Sequence, residues 1–203
     1  LLFHHDSNAY WPEGSEYDEN TAPLCSSVNG KQGIGEPGGL CAMCGMNQYG
    51  TASEGRGKAC KNMRMLYLLQ SGECVPIQIS LPPTSLKPFK TFINQAFLLR
   101  RRPSYGSVIQ LGLRKENTGG NDYSVATFRL IANFEGEELA QIRSYAEGFK
   151  EQIKLTLKQR AETAREQFDD GCDYISAGSQ SANATAPVYM TPAIDGDREA
   201  LPA

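Results

Sequence analysis

Four cysteines divide a glycine-rich stretch into two equal loops, and this spacing restricts the possible folds more than any other feature of the chain. Cys25, Cys41, Cys44 and Cys60 follow the pattern C-x15-C-x2-C-x15-C. Between them lie segments such as Gly33-Ile34-Gly35-Glu36-Pro37-Gly38-Gly39. So few apolar residues cannot offset the entropy of ordering the backbone by burial alone. The Cys41-Ala42-Met43-Cys44 knuckle lets two thiolates reach one ion from a tight turn, and Gly45 suits the backbone that follows. Four thiolates fit a tetrahedral structural Zn2+ with no open position, so hydrolytic zinc chemistry is not expected. Metal binding worth roughly 10–16 kcal/mol can replace a missing core. The competing readings are a redox dithiol at Cys41/Cys44, an iron–sulfur cluster, or unrelated buried thiols. A redox CxxC usually opens a helix after a strand, whereas Gly38-Gly39 precede this one. His4 and His5 are the only histidines and lie far upstream, where they would serve as metal ligands only in place of Cys25. Cys74 and Cys172 read as ordinary residues.

The remaining composition is that of a packed domain. The chain has 203 residues, 40 % of them hydrophobic, which suffices for one sizeable core. No apolar run is long enough to span a bilayer. Leu1-Leu2-Phe3 is too short for the apolar core of a signal peptide, and an opening Leu1 in place of Met implies residues upstream. Clustered cysteines suit a reducing compartment, so a cytoplasmic location is expected.

Charge is strongly segregated. Residues 1–55 carry one Lys/Arg against seven Asp/Glu, a net of −6. Residues 56–129 carry twelve against three, a net of +9, and residues 130–203 seven against thirteen, again −6. A basic middle between acidic flanks suggests a polyanionic partner, and a merely solvated face is the plainer alternative.

Local patterns predict an α+β domain. Residues 1–24 read as an acidic N-terminal arm, 25–167 as the folded domain and 168–203 as a disordered acidic tail. Met63 to Leu69 and Val75 to Leu81 read as a hairpin. A helix capped by Thr84 or Ser85, with Pro88 in its first turn, should run to about Arg102. Its apolar face includes Phe89, Phe92, Phe97 and Leu99. Two further strands are expected at Ser107–Leu113 and Tyr123–Ile131, joined by a flexible link over residues 117–121. Leu139, Ile142, Tyr145/Ala146, Phe149, Ile153, Leu157 and Ala161 recur at helical spacing, which predicts a long helix from Glu135 to about Gln167.

No catalytic set is evident, because the histidines lie in the arm and the basic middle holds three scattered acids. Gly55-Arg56-Gly57-Lys58-Ala59 fails as a phosphate loop, since Ala59 stands where Ser or Thr must bind magnesium. Its cations can still approach phosphates. Basic residues interleaved with aromatics are what a single-stranded nucleic acid site requires. On that basis Lys58, Lys61, Arg64, Arg100, Arg101, Arg102, Arg114, Lys115 and Arg129 are the expected phosphate contacts. Tyr67, Tyr105 and Tyr123 are the expected stacking rings.

Cys25-Ser26-Ser27, the Cys41/Cys44 knuckle, Asn47 with Tyr49-Gly50, Gly57-Lys58-Ala59-Cys60-Lys61 and Leu81-Pro82-Pro83-Thr84-Ser85-Leu86-Lys87 together resemble a family of phage and mobile-element single-stranded DNA-binding proteins that contain zinc. The resemblance covers about residues 23–155. It implies an antiparallel, OB-like β-barrel and sequence-tolerant single-stranded DNA binding in phage or mobile-element replication or recombination, in the cytoplasm of a bacterial or phage-infected host cell. It also implies replication or recombination proteins as partners of an acidic tail. Here the tail departs from that pattern, because Asp195, Asp197 and Glu199 are followed by Ala200-Leu201-Pro202-Ala203 with no terminal aromatic. The alternative reading is a zinc-stabilised protein–protein adaptor or inhibitor with no nucleic-acid activity.

Overall fold

The computed structural model describes residues 1–12, 21–53 and 56–172. The fold is mixed α+β, as expected. Its larger sheet contains β1 (Phe3–Tyr10), β2 (Cys25–Ser27), β3 (Gln32–Gly35), β4 (Gly39–Leu40), β5 (Lys61–Leu68) and β6 (Ile77–Leu81). The strands are antiparallel and ordered β4-β3-β2-β1-β5-β6. A second sheet is the ribbon of β7 (Ser107–Thr118) and β8 (Asn121–Asn133). Two helices, α1 (Pro83–Ile93) and α2 (Gly136–Cys172), complete the described fold. Among the described residues neither sheet closes into a barrel. Helix α1 packs against β5 and β6 of one sheet and β8 of the other, so the sheets meet across the helix and not by strand pairing.

The expected N-terminal arm is corrected most. Residues 3–10 form β1, an interior strand paired with β5 on one side and β2 on the other. The segment Phe-His-His-Asp-Ser-Asn-Ala-Tyr lacks apolar alternation, which is why it reads as a loose arm. It forms a strand because its polar side chains find partners across the sheet. Arg64 on β5 donates from Nε (3.0 Å) and Nη2 (2.7 Å) to His4 Nδ1, and its other arm pairs with Asp6. Asn62 donates to Asn8 Oδ1 at 2.7 Å. The short strands β2 to β4 then add to β1 despite their glycines. Gly35 is required there: its φ is +95°, and a Cβ would stand 2.1 Å from the Leu24 carbonyl oxygen.

One sheet face carries the main core. Leu66, Leu68 and Leu81 pack with Leu1, Phe89 of α1 and Ala126 of β8, and Ile79, Leu111 and Phe128 close around them. Phe89 sits edge-on to both His4 and Phe128, at 5.2 and 5.4 Å between ring centroids. Helix α1 starts two or three residues earlier than expected. Pro82 occupies the cap position and Pro83 the first turn, so Pro88 lies inside the helix. Ser85 is therefore no cap; it is buried, and its hydroxyl accepts from the Ala126 amide at 2.9 Å. The helix widens into a π-turn over Asn94–Leu98 and ends before the expected Arg102, with Arg101 in the left-handed region at φ 51°. Leu99, placed on the apolar face by spacing, is exposed in consequence.

The ribbon is longer than its alternating core suggests. Gly119 and Gly120 take φ of +63° and +89°, which makes the expected flexible link a tight two-residue hairpin turn. Helix α2 spans 37 residues, about 55 Å at 1.5 Å per residue. It covers the other sheet face with the predicted stripe. Ala146 and Ala164 are buried, and Phe149 meets Tyr67 edge-on at 5.4 Å. The helix continues through residues 168–172, which were expected to begin the tail; the rest of that tail, 173–203, lies outside the described residues. No helix among the described residues is long and apolar enough to cross a membrane.

Burial, and then the Arg64 guanidinium, pushes the His4 imidazole down from 6.5 to about 4. A neutral ring is also what Arg64 needs as acceptor. In the unfolded chain His4 gains its proton below about pH 6.5, so between that value and about 4 the unfolded state binds more protons. Stability should therefore fall as pH drops through this window. In urea melts, wild type should lose about 1–2 kcal/mol more than His4→Phe between those limits, after allowing for the partial exposure of the ring. Parallel pH profiles for the two proteins would remove His4 as the cause.

Candidate nucleic-acid interface and cysteine cluster

The fold brings the four predicted cysteines together. Cys25 lies on β2, opposite Tyr10 of β1 and Gly35 of β3. Cys41 follows β4, Cys44 precedes a 3-10 turn at Gly45–Asn47, and Cys60 leads into β5. All four line one small cavity of about 10 Å³, and the described cysteines are free thiols. A Cβ on Gly33 would stand 3.0 Å from Cys25 Sγ, so glycine leaves room for the sulfur. Burial first, and then the neighbouring thiols, pushes Cys60 up to about 11; burial is also the main cause that raises Cys25. Among the described residues no group of three or more His, Cys, Asp or Glu stands in an arrangement that could hold a metal ion as it is, although these four share one cavity.

Asn47 ties this cluster to the sheet. Its Nδ2 donates to the Cys41 carbonyl at 2.8 Å, while its Oδ1 accepts from Asn62 Nδ2 at 2.9 Å and from Lys58 Nζ at 3.2 Å. The loop beyond it is pinned by Thr51, whose hydroxyl donates towards the Gln48 carbonyl at 2.8 Å and accepts the Ala59 amide at 3.0 Å. Gly50, at φ +86°, makes the turn that this loop needs. The result is a fixed platform holding Tyr49, with Lys58 Nζ 4.9 Å from its ring centroid.

Beside that platform is an open groove of about 600 Å³ between the cysteine module and α1. Lys58 and Lys61 line one wall, and Lys87 and Lys90 of α1 line the other. Among the described residues no Asp or Glu lines it and none of the four lysines is in an ion pair. Sequence reasoning missed Lys87, Lys90 and Tyr49. The signal was there: Pro83, Lys87, Lys90 and Asn94 recur at three- and four-residue steps, a polar stripe on a helix read only for its apolar side.

The other expected contacts are spread over the surface. Arg64 is engaged with His4 and Asp6 inside the sheet. Tyr67 is buried beneath α2, stacked on Phe3, with its hydroxyl 3.2 Å from His5 Nε2, so it offers no free face to a base. Arg100, Arg101 and Arg102 line a separate depression with Glu135 and Leu139 at the start of α2. Tyr105 is half-buried and lines a depression with Leu2 and His4. At the far end of the ribbon Arg114 pairs with Glu116, Lys115 pairs with Asp122, and the Tyr123 hydroxyl donates to Glu116. The Asn117 amide, and then Lys115, holds the Asp122 carboxyl below its usual range. Arg129 is exposed on β8 opposite Gln110.

Because Asn47 joins three segments, Asn47→Ala should cost about 1–3 kcal/mol in thermal unfolding. A double-mutant cycle with Asn62→Ala should return a coupling of about 0.5–2 kcal/mol. Strictly additive costs would show that the two amides act apart. No family model matches this chain, and no curated protein or solved structure matches it significantly, so its function has to be argued from the geometry.

Proposed function

We propose that this chain binds single-stranded DNA, without catalysis and without sequence preference, along the lysine groove. The observation that carries the reading is the groove itself. Four lysines converge on a concave surface where, among the described residues, no carboxylate lines the wall and none of the four is ion-paired. Cations held in a concavity concentrate field and attract a polyanion. Arg100 to Arg102, in their separate depression, and Arg129 on the ribbon lie outside this groove. The proposal needs no closed OB-like barrel, because the phosphate path lies between a loop module and a helix. Replication or recombination in a bacterial or phage-infected cytoplasm is the setting that fits such a binder.

The cysteine module is read as the holder of one structural zinc. Four thiols of suitable chemistry share a cavity, on a stretch whose residues cannot supply a core. When bound, the ion would tie β2, the knuckle and the start of β5 together. Cys60 lines both this cavity and the groove, so the metal would also fix the wall bearing Lys58 and Lys61. The rival reading, a zinc-stabilised protein adaptor, draws on Leu40 and Met43, which are 61 % and 82 % exposed on the same module.

Titration of a labelled oligo-dT against salt tests the first reading. Engagement of four phosphates should give a slope of log K against log salt of about −3. Lys87→Glu/Lys90→Glu should weaken binding at least tenfold near 50 mM salt and flatten the slope by about 1.4. Undiminished binding by that variant would move the site elsewhere, and no binding by wild type would favour the adaptor. Separately, elemental analysis should find about one zinc per chain, lost in Cys41→Ser and Cys44→Ser, with a lower Tm after chelation. Pure protein without stoichiometric metal would sink the zinc assignment.

A further inference from the structure

The geometry points to Tyr49 as the base-stacking residue of the groove, an inference that rests on the single-strand reading and adds the chemistry of the base to that of the phosphate. Three tyrosines suggested by the sequence are poorly placed for this task. Tyr67 is buried, Tyr105 is half-buried, and Tyr123 is tied by its hydroxyl to Glu116 at the ribbon tip. Tyr145, at 39 % exposure, donates its hydroxyl to the Cys74 carbonyl and stacks on Phe149.

Tyr49 differs in each respect. It is 82 % exposed, yet it stands on a pinned loop and lines the groove together with Lys58, Lys61, Lys87 and Lys90. The Lys58 ammonium sits 4.9 Å from the ring centroid, and Asn47 fixes that ammonium from behind. A cation over one face holds the ring in place and leaves most of its surface open to solvent. The ring is held by Lys58 and open to solvent beside the lysines, so a planar aromatic ligand would cover it. A nucleobase is that ligand when its own phosphates run along the adjacent lysines. Any base has a π-face, so stacking here is tolerant of sequence, and the lysines supply attraction without reading bases either.

The test compares two probes on the full chain: labelled oligo-dT, and a phosphodiester of equal length whose sugars lack bases. Wild type should bind oligo-dT roughly 5–100-fold more tightly than the abasic chain. Tyr49→Ala should lower oligo-dT affinity by about the same factor while leaving abasic affinity, the salt slope and the Tm unchanged, and Tyr49→Phe should keep the wild-type preference. Equal loss for both probes, or no loss for either, overturns the stacking role and leaves the lysine groove standing. Failure of wild type to bind either probe overturns the single-strand reading, and this inference with it.

Discussion

A short relay of amide hydrogen bonds, Asn8 to Asn62 to Asn47, joins the sheet to the cysteine cluster and the lysine groove. Asn62 Nδ2 donates to both neighbours, at 2.7 and 2.9 Å, from a position one residue into β5. Asn47 passes the connection to the knuckle through the Cys41 carbonyl and to the groove through Lys58. Half-buried amides of this kind are costly when unpaired. Their mutual satisfaction therefore fixes one register of the cysteine loops against the sheet, which a glycine-rich stretch cannot do for itself.

The same logic explains how a polar strand comes to lie inside a sheet. His4, Asp6 and Asn8 point to one side of β1 and meet Arg64 and Asn62 there, while Phe3 and His5 on the other side meet Tyr67. The apolar contribution comes from the strand's neighbours, with Leu66, Leu68 and Leu81 against α1 and the ribbon on one face. On the other face α2 lies close because Ala146 and Ala164 are small. Burial thus supplies the stability and the polar pairs supply the alignment.

That division sets what could be read from the sequence. The hairpin of β5 and β6, the ribbon strands and the α2 stripe were legible because their apolar periodicity is itself the cause of their packing. The clustering of the four cysteines was legible because they fall within one short, glycine-rich stretch of chain. Strand β1 was not, since its pairing depends on Arg64 and Asn62, more than fifty residues away, and no local pattern records them. The groove was only half legible. Lys58 and Lys61 stood out beside glycines, whereas Lys87 and Lys90 looked like the ordinary solvent face of α1. Tyr67 was misassigned because alternation along β5 identifies a strand but not whether a helix covers its second face.

Pairing distinguishes the groove from Arg64, Arg114 and Lys115, and the acid Glu135 in its lining distinguishes the depression of Arg100 to Arg102 from it. Arg64, Arg114 and Lys115 each have a carboxylate, so in the free protein their field is largely cancelled. Lys58, Lys61, Lys87 and Lys90 have no carboxylate partner among the described residues, although they share one concavity. Four like charges so placed repel one another and oppose folding, and the amide and ring that hold Lys58 in place do not neutralise it. An arrangement that costs stability at rest, with an exposed aromatic on a hydrogen-bonded loop beside it, is one that the proposed anionic ligand carrying planar groups would relieve. The proposed ligand, single-stranded nucleic acid, meets both requirements along its whole length, which a simple anion does not.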